Sequence, residues 1–153
     1  MSVGQRGFLL YNFYYMEINV YTDGGSRGNP GPSGYGLVIF DDQKNNLYQE
    51  YKYLGIKTNN EAEYLALLAS IKWIEGHYQS YSINKVNFFA DSQLLICQLQ
   101  GKYKIKAPNL KDFYIQAQQS LKSMNLNYQF THIRRELNTH ADELANKAMD
   151  RGR

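Results

Sequence analysis

The order of alternating and helical segments restricts this chain to an α/β fold built on a mixed sheet. Glu17 to Asp23 alternates polar and apolar residues, the period-two pattern of a strand with one buried face. Gly24 through Gly34 is rich in glycine and proline and reads as a loop. Tyr35 to Phe40 is a second strand, Asp41 to Asn46 a hairpin turn region, and Leu47 to Leu54 a third strand. These three strands are expected to form an antiparallel meander. Thr58, Asn59 and Asn60 offer side-chain oxygens to the free N–H groups of a helix start. The helix runs through Tyr64, Leu65, Leu68, Ile71 and Ile74, with Gly76 as its stop. Ile83 to Ala90 is short and mostly apolar, as suits a strand in the centre of a sheet. Ser92 caps a helix that fades near Gly101, and another helix spans about Leu110 to Met124. Leu126 to Ile133 alternates as the last strand, and Asn138 and Thr139 cap a final helix carrying Ala141, Leu144, Ala145 and Ala148. The order is β-β-β-α-β-α-α-β-α, which gives three antiparallel strands, two parallel additions, and helices on the faces.

A chain of 153 residues can bury a real core as one domain, here 16–150. No repeat, linker or second domain interrupts it. Residues 1–15 stand apart as an N-terminal extension, either flexible or a start-site artefact. Within them Gly7-Phe8-Leu9-Leu10-Tyr11 is apolar but too short to cross a bilayer, and no small-residue cleavage site follows. The single cysteine, Cys97, rules out an intramolecular disulfide and fits a reducing compartment. A soluble, cytoplasmic, monomeric protein is expected.

Four acids sit at the edges of these elements: Asp23, Glu63, Asp91 and Asp142. Asp23 and Asp91 end strands. If those strands are parallel neighbours, their carboxylates lie side by side at the carboxyl end of the sheet, where α/β folds place sites. Glu63 lies on the first turns of a helix, between the small residues Ala62 and Ala66. Asp142 opens the last helix, whose dipole favours an ionised carboxylate. Gathered together, the four would repel one another and need cations between them. Hard oxygen ligands select Mg²⁺ or Mn²⁺, and two such ions roughly 4 Å apart form a machinery for phosphodiester cleavage. Taken singly, each acid also has an ordinary reading as a turn former, a helix cap or an exposed helix residue. The charge balance agrees with a polyanion partner. Net charge is +3, and without those four acids ten Asp and Glu face 17 Lys and Arg.

Together the motifs resemble ribonuclease H, the type 1 group, from about Ile18 to near Met149. The resemblance rests on Thr22-Asp23-Gly24-Gly25-Ser26-Arg27-Gly28-Asn29-Pro30-Gly31-Pro32, then Thr58-Asn59-Asn60 with Glu63, then Asp91-Ser92-Gln93, then Asn138 with Asp142-Glu143-Leu144-Ala145. It implies a ribonuclease H-like fold and hydrolysis of the RNA strand of RNA–DNA hybrids, leaving 5′-phosphate and 3′-hydroxyl ends. It also implies Asp23, Glu63, Asp91 and Asp142 as catalytic ligands of two Mg²⁺ or Mn²⁺ ions. Glu61 competes with Glu63 for that role. The family's Glu falls three residues after the second Asn, which favours Glu63, and Glu61 would point about 200° away around the helix axis.

The same resemblance places Asn29, Asn60 and Gln93 against the minor groove of the hybrid, where 2′-hydroxyls are exposed. Thr58 would hold a DNA-strand phosphate through its hydroxyl and N–H, and Asn138 joins the substrate-binding set. Duplex RNA also presents 2′-hydroxyls and stays open as a substrate. A non-catalytic nucleic-acid-binding module of the same fold is a second reading, and the presence of all four acids argues against it. Two departures stand out. Many members carry a histidine loop before the last Asp, where this chain has Arg134-Arg135-Glu136-Leu137-Asn138. His140, Glu136 and Arg135 are candidates for the assisting role. Between Gly101 and Asn109 the chain lacks a basic protrusion, and Lys102, Lys104 and Lys106 are left to touch phosphates.

Overall fold

The structure, a computed structural model, describes residues 15–152. The extension expected at 1–15 therefore lies outside the described residues, save Tyr15. Strands β1 (Met16–Ser26), β2 (Gly31–Asp41), β3 (Asn46–Lys57), β4 (Ile83–Ala90) and β5 (Asn127–His132) form one sheet in the order β3-β2-β1-β4-β5. β1 runs antiparallel to β2 and parallel to β4, and β4 runs parallel to β5. Among the described residues the helices are α1 (Asn59–His77), α2 (Gln93–Leu99), α3 (Pro108–Ser123) and α4 (Thr139–Arg151), with a 3₁₀ turn at Arg135–Leu137 before α4. The expected mixed α/β sheet is the observed one. Among the described residues no helix is long and apolar enough to cross a membrane.

The main core lies on one face. Ile18 and Val20 of β1 and Leu37 and Ile39 of β2 pack with Leu67, Ile71 and Ile74 of α1. α4 covers the opposite face of β2 with Ala141, Leu144, Ala145, Ala148 and Met149. α1 starts on a capping box. The Thr58 hydroxyl accepts from the Glu61 N–H, and the Glu61 carboxylate accepts from the Thr58 N–H. The helix passes through Gly76 and ends at His77 instead of stopping there. The backbone stays right-handed at Tyr78, whose N–H donates to Ile74.

One expectation needs correction. The stretch from Gly24 to Gly34 is mostly strand, and only the four residues between Ser26 and Gly31 connect β1 to β2. Gly25 faces Gly34 across the antiparallel ladder, and Asp23 faces Gly36. These glycines serve close approach. A Cβ on Gly24 would collide with the Ala62 carbonyl and the Glu63 nitrogen, and one on Gly36 would collide with the Ala141 carbonyl and the Leu144 side chain. α1 and α4 thus lie directly against the backbone of the central strands. That contact decides where Glu63 and Asp142 stand.

Candidate active site

Register, helix contact and two glycines bring the acids together. The last parallel pair of β1 and β4 is Tyr21 with Phe89. Two residues further on, at the same level, come Asp23 and Asp91. β1 continues to Ser26, so Asp23 does not end its strand as expected. It stands where the parallel pairing stops, which still opens space beside it. α1, pressed on Gly24, delivers Glu63 from one face of the sheet. α4, pressed on Gly36, brings Asp142 from the other face, because Gly36 is the cross-strand partner of Asp23.

Asp23, Glu63 and Asp91 each place a carboxylate oxygen within 4.8 Å of the others. Asp142 falls outside that tight triplet. It lines the same open cleft of about 500 Å³, near enough to Asp23 to raise its pKa. All four sequence-predicted acids therefore share one cleft. Glu61 is elsewhere, engaged in the capping box of α1.

The cluster is electrostatically expensive as it stands. Burial raises Asp23 to a pKa of about 8, helped by the Asp91 charge and by the hydrogen bond and charge of Asp142. The Arg135 cation opposes this rise. Burial also pushes Glu63 well up, reinforced by the charges of Asp23 and Asp91, against the donation of the Gly24 N–H to its carboxylate. Glu63 Oε2 and Asp91 Oδ2 are buried without a hydrogen-bond partner, though Asp91 Oδ2 has the Arg135 cation 3.6 Å away. Buried carboxylate oxygens this crowded by like charges fit a hard divalent cation. The donor set is all oxygen, as Mg²⁺ and Mn²⁺ prefer.

Other predicted residues divide. Asn60 and Gln93 are exposed at the starts of α1 and α2, and Gln93 Nε2 lies 3.4 Å from the Tyr103 hydroxyl. Asn29 is exposed, and its Oδ1 accepts from the Asn59 N–H, while Asn59 Oδ1 accepts from the Ser26 N–H. These two bonds tie the β1–β2 connection to the start of α1. Thr58 departs from expectation, since its N–H is held by Glu61 and is not open to a phosphate. Asn138 departs further. It is 1% exposed and donates through Nδ2 to the Thr22 carbonyl at 2.9 Å, so its side chain does not cap α4, and it is not part of the lining of the acid cleft. It anchors the start of α4 beside Asp23.

His140 lies apart from the acid cleft, against Phe40. Arg27, paired with Asp150, and Arg135 are cations lining the cleft, and Arg135 is the one paired with an acid of the cluster. Its Nε lies 3.6 Å from Asp91 Oδ2, and its side chain is 76% exposed over a carboxylate that is 6% exposed. His132 supports the same residue, with Nε2 3.2 Å from the Asp91 carbonyl. Sequence reasoning did not find that contact, because strand β5 reaches Asp91 only through the parallel register with β4.

A family model described as reverse transcriptase-like matches residues 21–148. In structure, LC11-RNase H1, solved in complex with an RNA/DNA hybrid, is 41% identical with a TM-score of 0.83, covering 88% of this chain and 97% of that one. RNase H1 from the halophilic archaeon Halobacterium salinarum is 32% identical with a TM-score of 0.78, covering 88% and 98%. The bifunctional protein Rv2228c of Mycobacterium tuberculosis is 38% identical over 88% of this chain, which spans 36% of that relative's length. The match runs across both central strands and all four acids, and the solved relatives are covered almost end to end. On that footing the chain belongs to the ribonuclease H family, type 1 group.

Proposed function

We propose that this protein is an endoribonuclease that hydrolyses the RNA strand of RNA–DNA hybrids, leaving 5′-phosphate and 3′-hydroxyl ends. The observation that carries the reading is the convergence of Asp23, Glu63 and Asp91 within 4.8 Å, with Asp142 lining the same cleft. The four carboxylates are the catalytic residues in this reading, as ligands of two Mg²⁺ or Mn²⁺ ions. Bound there, the ions would supply an activated water and charge stabilisation at the phosphate. The protein's own part is positioning. Asn138 and Gly36 fix α4 so that Asp142 meets Asp23, and Gly24 fixes Glu63 by its N–H and its lack of a side chain. Asn60 and Gln93 offer exposed amides that donate and accept together, as 2′-hydroxyl recognition requires. Asn29 keeps its amide nitrogen available for the same groove. Thr58 retains only a hydroxyl proton for a DNA-strand phosphate. We place the protein in the cytoplasm, where Cys97 stays reduced.

Arg135 takes the assisting position in this reading. An entering phosphate would replace Asp91 as its partner, because the guanidinium end of the pair is 76% exposed and can turn to it. Arg135→Ala is expected to lower cleavage about tenfold or more with the circular dichroism spectrum unchanged. Unchanged cleavage would remove Arg135 from the site.

The test of the activity is a labelled RNA–DNA duplex and a matched RNA duplex, each incubated with Mg²⁺ or Mn²⁺. Cleavage of the RNA strand of the hybrid, faster than of duplex RNA, is expected. Folded protein that cuts neither duplex with either ion would overturn the assignment.

A further inference from the structure

Tyr21, Phe40 and His140 wall a second concavity, on the α4 side of the sheet and outside the acid cleft. Its volume is about 350 Å³, at the small end of ligand sites and suited to one planar ring system. Tyr21 and Phe40 meet edge to face with centroids 6.0 Å apart, and His140 lies 6.1 Å from Phe40, tilted by 56°. Behind them Tyr21 stacks on Phe89 at 4.9 Å, which fixes the wall. None of these rings has a part in the acid cleft.

The polar groups of the pocket have unfilled valences. Asn138 lines it. With Nδ2 engaged at Thr22, its Oδ1 is left buried without a partner. Asn19 also lines it. Its Oδ1 accepts from Asn87, which leaves its own Nδ2 to donate. Because Asn138 is turned toward Thr22, no side chain caps α4, and Thr139 and His140 bring uncapped N–H groups to the rim. Charge then narrows the ligand. Asp41, Asp42 and Lys44 stand at the mouth, and the Asp41 carboxylate is held by the Gln43 N–H, the Asn45 N–H and the Asn45 amide. Two acids against one lysine disfavour a phosphate inside. An uncharged planar ring with both donors and acceptors on its edge fits the aromatic wall and the open amides.

We propose that this pocket binds an unpaired nucleobase, carried either by a free nucleoside or by a single-stranded nucleic acid. Aromatic side chains with amides beside them are the general means of holding a splayed base. The site stands independently of the nuclease reading. It is nevertheless placed to influence it, because Leu137 to Ala141 line the pocket and the next residue is Asp142.

The test is amide NMR of the full chain without divalent ions, titrated with adenosine, cytidine, guanosine and uridine, and separately with a short single-stranded oligonucleotide. Shifts are expected at Asn19, Tyr21, Phe40 and 137–141, with Gly24, Asn60 and Gln93 unmoved. Loss of the His140 ring in His140→Ala is expected to weaken binding about tenfold. Its spectrum outside the pocket reports whether it remains folded. Shifts at the pocket with nucleosides alone identify a small-molecule site, and shifts with the oligonucleotide as well identify an unpaired strand. The proposal fails if no probe moves the pocket residues, or if the shifts fall only in the acid cleft. It also fails if folded His140→Ala binds as tightly as the parent.

Discussion

Asp23→Asn is expected to reduce hybrid cleavage by about a thousandfold or more while hybrid binding survives. Asp23 stands centrally in the cluster. It lies within 4.8 Å of Glu63 and Asp91, and Asp91 and Asp142 both raise its pKa. An amide keeps its shape but removes the charge that a divalent ion needs. The exposed amides of Asn60 and Gln93 are untouched by the change, so the duplex still docks. The same variant is expected to melt higher than the parent at pH 8 without ions, because it removes one of the mutually repelling acids. Gel-based cleavage, a filter-binding assay and a melting curve read the three effects. Full activity in the folded variant would take Asp23 out of the site.

The second large effect is a pH dependence that divalent ions reverse. Asp23 titrates near 8 in the folded, ion-free protein and in the ordinary carboxyl range, near 4, when unfolded. Between these values the folded state holds a proton that the unfolded state lacks. Stability therefore falls as pH rises through that window, and Glu63, also raised, adds in the same direction. Glu17 and Glu61 are held below the usual range by the Asn87 amide and the Thr58 N–H. Their contributions are already present above about pH 5. Without ions, Tm should drop by roughly 5 °C or more from pH 5 to pH 8. Mg²⁺ or Mn²⁺ stabilises by about 3 kcal/mol at a hundredfold excess over Kd, and more at pH 8 than at pH 5, where protons compete. Calorimetric melting in chelator and in excess ion, at both pH values, checks it. A Tm that rises with pH in chelator would show that the acids do not share their charge.

Much of this was legible in the chain, and the exceptions have physical causes. Alternation marks β1, β3 and β5, and a short apolar run marks β4, with Asp91 after it at its carboxyl end. The glycine-rich stretch misled, because glycine reads locally as a turn. At Gly24 and Gly36 its use is set by helices distant in sequence, which need backbone without a side chain. Asn138 has the local position of an N-cap, yet its amide finds Thr22, 116 residues away. Thr58 shows the reverse case, since its capping box with Glu61 is purely local and decides against an open N–H. His140 looked close to Asp142 in sequence, but the helix turns it toward Phe40. Arg135, from the segment that lacks the family's histidine, is the side chain that meets the acids.

The most direct measurement is anomalous scattering from a crystal of the protein soaked in Mn²⁺. Two peaks about 4 Å apart, ligated by Asp23, Glu63, Asp91 and Asp142, are predicted. Diffraction to useful resolution with no peak between these carboxylates, or with manganese bound only elsewhere, would contradict the account.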